Sequence, residues 1–281
     1  MPELAEVKIM GDFVNHIVQQ DPYIERIEKS PVSKVKTDLN AFEGGVFTMY
    51  AKTRGKEMRL HMELIGGDLN GAVTKNLFLS MGMSGNWVYL RKDSEHLQEV
   101  LKHAHLRFIT TRGNYLVLHD VRRFAKWKWG EDWTPGRGPC PLTEYNEFQE
   151  FLKTKWYTHK HFKSRINELL MDQRYFNGIG NYLRAEILWR LDINPFTPAN
   201  EIPSNKVDEL ISLCYSCTSD AYELGGGQLK DWENPNKTDA KSFKEWMKCY
   251  GIKSSVVDNS GRRFWYDPIW EEYVPKEYLE K

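Results

Sequence analysis

The sequence predicts an α+β protein: an N-terminal helix leading into a β-sandwich or barrel, then a helical half that ends in a β-hairpin. Three observations carry this. Apolar residues at Val7, Met10, Phe13, Val14 and Ile17 recur every three or four positions, the spacing of one helix face. Short strand-like runs separated by glycines fill the stretch from about residue 57 to 119. Beyond a proline- and glycine-rich stretch the apolar period becomes helical.

In chain order, the first helix covers residues 3–20. Glu57-Met58-Arg59-Leu60-His61-Met62-Glu63-Leu64 then alternates polar and apolar side chains, as a half-buried strand does. Further strands are expected at 76–81, 86–90, 106–111 and 115–119, with turns at Gly66-Gly67, Gly85 and Gly113-Asn114. These place an N-terminal domain at 1–132. Pro135, Gly136, Gly138, Pro139 and Pro141 mark a linker over 133–144, and the rest forms a second domain, 145–281. Helices are expected at 145–156, 164–171, 181–191 and 206–224. Asn177-Gly178-Ile179-Gly180 opens the third of them, where free backbone N–H groups can hold a phosphate. Residues 248–268 read as a hairpin around Asp258-Asn259-Ser260-Gly261.

Thirty-nine basic and 39 acidic residues among 281 give no net charge, which excludes a strongly basic coat protein and an acidic disordered chain. No apolar run approaches the ~18 residues of a membrane helix, and the N-terminus lacks the features of a secretory signal. Four cysteines are too few for a disulfide scaffold, so a reducing intracellular compartment is expected. The charge is nevertheless uneven. Residues 102–128 hold seven Lys/Arg against Asp120 alone, and residues 153–190 hold eight against three acids. Two such runs either are solvated faces or line one phosphate-binding groove between the two domains, since phosphate binding needs clustered rather than net charge.

Several residues could carry chemistry. If Met1 is removed, Pro2 has a free secondary amine, and a terminal amine titrates near ~8 against ~10.4 for lysine. A helix N-terminus disfavours its cation further, and such amines form Schiff bases with aldehydes. Glu3 beside it can exchange protons with the reacting centre. Proline followed by glutamate is equally an ordinary helix start. Lys56 closes Thr53-Arg54-Gly55-Lys56 and suits either a phosphate or a turn rim. Met81-Gly82-Met83-Ser84-Gly85 and Asp120-Val121-Arg122-Arg123-Phe124 offer a Met and an Arg/Phe pair on separate loops. Enzymes that extrude a base fill the hole with such wedges.

Pro2-Glu3-Leu4 with Glu6, Arg54-Gly55-Lys56, the two loops just quoted, and Asn177-Gly178-Ile179-Gly180-Asn181-Tyr182 with Glu186 occur in one order. Together they resemble the formamidopyrimidine-DNA glycosylase/endonuclease VIII family over residues 2–268. The resemblance implies a β-sandwich domain followed by a helix–two-turn–helix domain. It implies a bifunctional DNA glycosylase and AP lyase of base excision repair, a monomer with damaged DNA as partner and no cofactor. In that reading Pro2 attacks C1′ of the damaged nucleotide, Glu3 protonates the sugar ring oxygen, and Lys56 binds phosphate and supports catalysis. Met83, Arg122 and Phe124 fill the void in the duplex, Arg123 contacts the backbone, and Asn181 holds a phosphate flanking the lesion. Arg262 stands at the position of a phosphate-contacting arginine, and β,δ-elimination completes the reaction. No Cys follows Cys249, so the hairpin resembles the family's zincless finger and no metal is expected. Cys214 and Cys217 fall inside a helix and read as a buried pair. Gly225-Gly226-Gly227-Gln228-Leu229-Lys230-Asp231-Trp232 is similar to a loop of the formamidopyrimidine branch. That likeness favours oxidised purines such as 8-oxoguanine and formamidopyrimidines as substrates. Oxidised pyrimidines, or DNA binding without catalysis, are the alternatives.

Overall fold

The computed structural model describes residues 2–39, 44–65, 73–226 and 242–280. The Gly66-Gly67 turn, and the 225–232 loop from residue 227 onward, lie outside them. The chain forms two compact units. One comprises Pro2 and Glu6–Pro135; the other comprises Glu3–Ala5 and the described residues from Gly136 onward.

Helix α1 (Leu4–Gln20) belongs to the first unit from Glu6 onward, and its Val7, Met10, Val14, Ile17 and Val18 are buried in one cluster with the strands. Eight strands follow: β1 (Ile24–Lys29), β2 (Val46–Arg54), β3 (Glu57–Ile65), β4 (Thr74–Ser80), β5 (Asn86–Leu90), β6 (Ala104–Thr110), β7 (Tyr115–His119) and β8 (Lys126–Trp129). A short helix, α2 (Leu97–Leu101), precedes β6. The strands hydrogen-bond in the order β5-β7-β6-β1-β2-β3-β4-β8, all antiparallel. The order has a weak seam: β1 and β2 pair only at Ile24↔Phe47, while β2 and β3 pair over nine positions. Two four-stranded halves therefore meet at one residue pair. Their inward side chains, Phe47, Met49, Leu60 and Met62 from one half and Leu106, Phe108, Leu116 and Leu118 from the other, join one buried cluster. This is a sandwich in which the two layers share an edge.

The seam leaves backbone groups of β2 without a strand partner, and α1 supplies them. Asn15 donates Nδ2 to the Ala51 carbonyl (3.0 Å) and accepts from the Ala51 N–H (2.6 Å). Gly11 permits this approach, because a Cβ there would lie 2.6 Å from Thr53 Cγ2.

The second unit contains α3 (Tyr145–Lys155), α4 (Ile166–Leu169), α5 (Asn181–Leu191), α6 (Ser204–Glu223), α7 (Phe243–Trp246), the hairpin β9 (Ser254–Val257) and β10 (Arg263–Tyr266), and α8 (Lys276–Leu279). Helix α5 is buried on all sides from Tyr182 to Leu188, which marks it as the central helix of that unit. Helix α6 buries Val207, Leu210, Ile211, Cys214, Cys217, Thr218 and Ala221, a stripe of three- and four-residue steps against the same core. The proline- and glycine-rich stretch is bonded rather than loose. Trp133 stacks beneath Arg59 (5.0 Å) in the first unit, and Gly138 exchanges hydrogen bonds with Gln173 and Asn177 in the second. No helix among the described residues is long and apolar enough to cross a membrane.

Candidate active site and nucleic-acid interface

In the first unit, Lys56 occupies a two-residue turn between β2 and β3, with Arg54 and Glu57 as the closing pair. Gly55 holds φ +56° at the first turn position and Lys56 has no positive φ, the arrangement of a II′ hairpin. The lysine is thereby half-buried at the tip of the longest strand pair.

The loops carrying Met83 and Arg122–Arg123–Phe124 come together, and two features lock them. Gly82 (φ +60°) lies against the Phe124 backbone so closely that a Cβ would sit 2.7 Å from its carbonyl carbon. Asp120, fully buried, anchors both loops. It accepts from Ser84 Oγ (2.5 Å) in one, and from the N–H groups of Arg122 (3.2 Å), Phe124 (2.7 Å) and Ala125 (2.7 Å) in the other. These bonds hold Arg123 at φ +57°. What they present outward is apolar and cationic: Met83, Val121 and Phe124 are 45%, 57% and 42% exposed, and the Arg122 guanidinium stacks over Phe124 at 4.7 Å. Exposed side chains of this size on rigid loops suit insertion into a stack. Val121 is a member of this cluster that its position in the sequence did not single out.

Burial raises the Asp120 carboxyl, but the donors from Ser84, Ala125, Phe124 and Arg122 outweigh it and hold it below the ordinary aspartate value. A folded carboxyl that binds protons more weakly than the unfolded one stabilises fully above the unfolded value, near ~3.9, and loses that contribution as pH falls through its folded value. Asp120→Asn is therefore expected to cost about 1–3 kcal/mol at pH 7. The difference from wild type should shrink below about pH 4. Urea melts of both proteins from pH 7 to 3 check this, and a gap that widens with acid would count against it.

In the second unit, Glu3 is buried with its carboxylate on the N-terminus of α5. Oε1 accepts from the Tyr182 N–H (2.9 Å) and Oε2 from the Leu183 N–H (3.2 Å). These are two of the four donors a helix start leaves unsatisfied, and the dipole there favours a negative group. Gly180 makes room: a Cβ on it would lie 2.2 Å from Glu3 Cδ. The Leu4 N–H donates to the Gly178 carbonyl (3.1 Å) and completes the dock. This narrows the expectation that the glycine-rich turn and the helix it opens offer free N–H groups to a phosphate. A carboxylate from the start of the chain takes two of them, and the Gly178 N–H donates to Gln173 Oε1 (2.9 Å).

Asn181, the first residue of α5, accepts at Oδ1 from Arg184 Nη2 (2.7 Å) and donates from Nδ2 to the Arg263 carbonyl (2.9 Å). Arg262 precedes β10 and is exposed, its Nη1 reaching Ser260 Oγ (3.3 Å). Glu186, fully buried on α5, gathers the N–H groups of Lys248, Cys249 and Tyr250 and pairs with Arg190, so it fixes the base of the finger. Among the described residues no three His, Cys, Asp or Glu side chains are grouped to hold a metal. Cys214 and Cys217 are free and buried, and burial pushes the Cys217 thiol up to about 12.

Formamidopyrimidine-DNA glycosylase family models match this chain twice, as the N-terminal domain over residues 1–127 and as the H2TH domain over 138–232. Endonuclease 8-like 1 of Homo sapiens is 36% identical across 98% of this chain and 75% of its own length. The formamidopyrimidine-DNA glycosylase of Wolbachia sp. subsp. Drosophila simulans is 28% identical, with 89% of each chain covered. The chain belongs to the formamidopyrimidine-DNA glycosylase/endonuclease VIII family. Crystal structures agree on the fold. Lactococcus lactis Fpg, solved with oxidised-pyrimidine-containing DNA, superposes with a TM-score of 0.74 at 21% identity over 96% of this chain and 99% of its own. The Thermus thermophilus protein gives 0.69 at 23% identity, with coverage of 96% and 98%.

Within this family fold, the basic runs need correction as phosphate-binding surfaces. Arg184 is fully buried, and Arg190 is turned inward onto Glu186 and the Trp246 ring (4.3 Å). Arg107 donates to the Leu101 and Ala104 carbonyls. Three of the cations counted in the sequence therefore hold the protein together and are not displayed to a partner.

Proposed function

We propose that this protein is a bifunctional glycosylase and AP lyase that removes oxidised bases from DNA, with the Pro2 amine as nucleophile. The observation that carries it is the placement of Glu3: the carboxylate of the residue next to Pro2 is fixed in a helix cap that a larger residue at 180 would destroy. A cap alone can be built from a local Ser, Thr, Asp or Asn. Here it fixes a proton-exchanging group beside a chain-terminal amine. Pro2 displaces the base at C1′, forming an iminium as the C1′–N bond to the base breaks and the sugar ring opens. Glu3 takes the proton that the amine releases and returns it to the ring oxygen, while the departing base takes a proton from water. Loss of a C2′ proton then expels the 3′ phosphate, loss of a C4′ proton expels the 5′ phosphate, and water hydrolyses the remaining conjugated iminium to free Pro2. Lys56, Asn181 and Arg262 contribute phosphate contacts, Arg123 a backbone contact, and Met83, Arg122 and Phe124 the wedge. DNA in several solved relatives supports damaged duplex as the partner.

Oxidised purines are the first substrates proposed, from the exposed Met83 and the Arg122–Phe124 stack. Oxidised pyrimidines are a second reading, favoured by the greater identity to an endonuclease 8-like protein than to formamidopyrimidine-DNA glycosylases. Borohydride reduction in the presence of an abasic duplex is expected to trap one protein per strand. A panel of 8-oxoguanine, formamidopyrimidine and thymine glycol duplexes then orders the substrates. Binding to the abasic duplex with no trapped adduct would leave a DNA-binding protein without catalysis.

A further inference from the structure

We propose that Arg184 is a positioning residue that sets Asn181 and the finger's Arg262 toward one backbone phosphate, through a buried ion pair with Asp258. The inference rests on the function proposed above. Arg184 lies on α5 with no exposed surface, and Asp258, 2% exposed, lies in the turn of the hairpin. Burying such a pair is costly and a well-packed apolar pair of the same volume is often no less stable, so the pair calls for a reason beyond stability.

Its bonds supply one. Arg184 Nη1 donates to Asp258 Oδ2 (2.8 Å) and to the Asn167 carbonyl (3.0 Å), Nη2 donates to Asn181 Oδ1 (2.7 Å), and the guanidinium lies 4.8 Å over the Phe264 ring. A guanidinium has only donors, so the atom it meets on Asn181 must be the amide oxygen. That fixes the Asn181 amide with its NH₂ on the other side. One hydrogen goes to the Arg263 carbonyl (2.9 Å) and the other is left for an acceptor such as a phosphate oxygen. The second oxygen of Asp258 shapes the turn: Oδ1 accepts from the Ser260 N–H (2.9 Å), Ser260 Oγ (2.6 Å) and the Arg262 N–H (2.9 Å). One side chain thus orients the helix donor directly and the finger arginine through its anion. A hairpin of two four-residue strands has little stability of its own, and here an ion pair clamps its turn to α5.

The test measures binding of an abasic-analogue duplex against salt. Each lost phosphate contact lowers the slope of log K against log salt by about 0.9. Arg262→Ala should lower it by about that amount, and Arg184→Met should match it, weakening binding about tenfold or more and raising KM more than it lowers kcat. The double variant should bind no more weakly than Arg184→Met alone, because the arginine is already misplaced. Arg184→Lys keeps the charge but cannot make all three bonds, and should fall between. Should Arg184→Met fail to fold, Asp258→Asn keeps the oxygen that shapes the turn and removes the charge partner, and the same loss is expected. Wild-type slope in Arg184→Met, or in Asp258→Asn where that variant stands in, would overturn the proposal, as would losses that multiply in the double variant. If wild-type protein shows no salt-dependent binding and Arg262→Ala changes nothing, the functional reading itself fails.

Discussion

A protein carrying any residue in front of Pro2 is expected to give no borohydride-trapped adduct with an abasic duplex, while still binding that duplex. An added residue converts the amine to an amide, whose lone pair is delocalised into the carbonyl and cannot attack C1′. The turnover lost with a covalent nucleophile is large, about 10³-fold or more. Pro2→Gly discriminates more finely. Glycine keeps a terminal amine, but its imine must be protonated before it can withdraw electrons, whereas a secondary amine gives an iminium that is cationic at every pH. Adduct formation is expected to fall by about 10²-fold, the scale of one proton-dependent step. Thermal midpoints of both variants should remain near wild type, since Glu3 and Leu4, not Pro2, make the hydrogen bonds that dock the start of α1. An extended protein that still traps would place the nucleophile elsewhere, with a lysine as the first candidate.

How much of this was legible in the sequence depended on whether the signal was local. Helices α1 and α5, and strands β3, β5 and β7, matched their apolar patterns closely, because each pattern lies within one continuous element. Strand β1 was missed: Ile24 and Ile27 are three apart, and the register shift between Ile24 and Arg26 breaks the alternation. Strand β8 reads Lys126-Trp127-Lys128-Trp129, too short and too charged to stand out, as suits a strand at the end of the sheet order. The expected helix at 164–171 is only Ile166–Leu169, since the chain must turn twice before α5. The candidate site divided the same way. Motif residues could be named from the sequence, but the side chains that hold them could not. Asp120, Arg184 and Asp258 act on partners distant in sequence or through backbone N–H groups, and no spacing rule encodes that. The clearest available signal was an aspartate followed within five residues by a tight turn, which describes both Asp120 and Asp258.

Gly180→Ala should inactivate the enzyme nearly as fully as Glu3→Gln, although glycine carries no functional group. Glu3→Gln is the simpler case. An amide can accept one of the two α5 N–H bonds, but its NH₂ must then face the other donor, and the negative charge at the helix start is lost. We expect base release to fall by about 10²–10⁴-fold and stability by about 1–2 kcal/mol. In Gly180→Ala the carboxylate remains, but the new methyl would occupy the space of Glu3 itself, 2.2 Å from Cδ and 2.4 Å from Oε1. The Gly180 backbone is extended, so the effect is steric rather than torsional. Either the helix start shifts or Glu3 leaves the cap; overpacking of this kind costs about 1–3 kcal/mol. A 1 Å displacement of a catalytic group can cost ~10²-fold. Because both substitutions remove one arrangement, their effects should not multiply: the double variant should be no slower than the slower single. Single-turnover base release on all three variants, alongside urea melts, decides it. Near-wild-type turnover in Gly180→Ala would mean that the position of Glu3 on α5 is a structural cap with no part in proton transfer, and Pro2 would then need another proton acceptor.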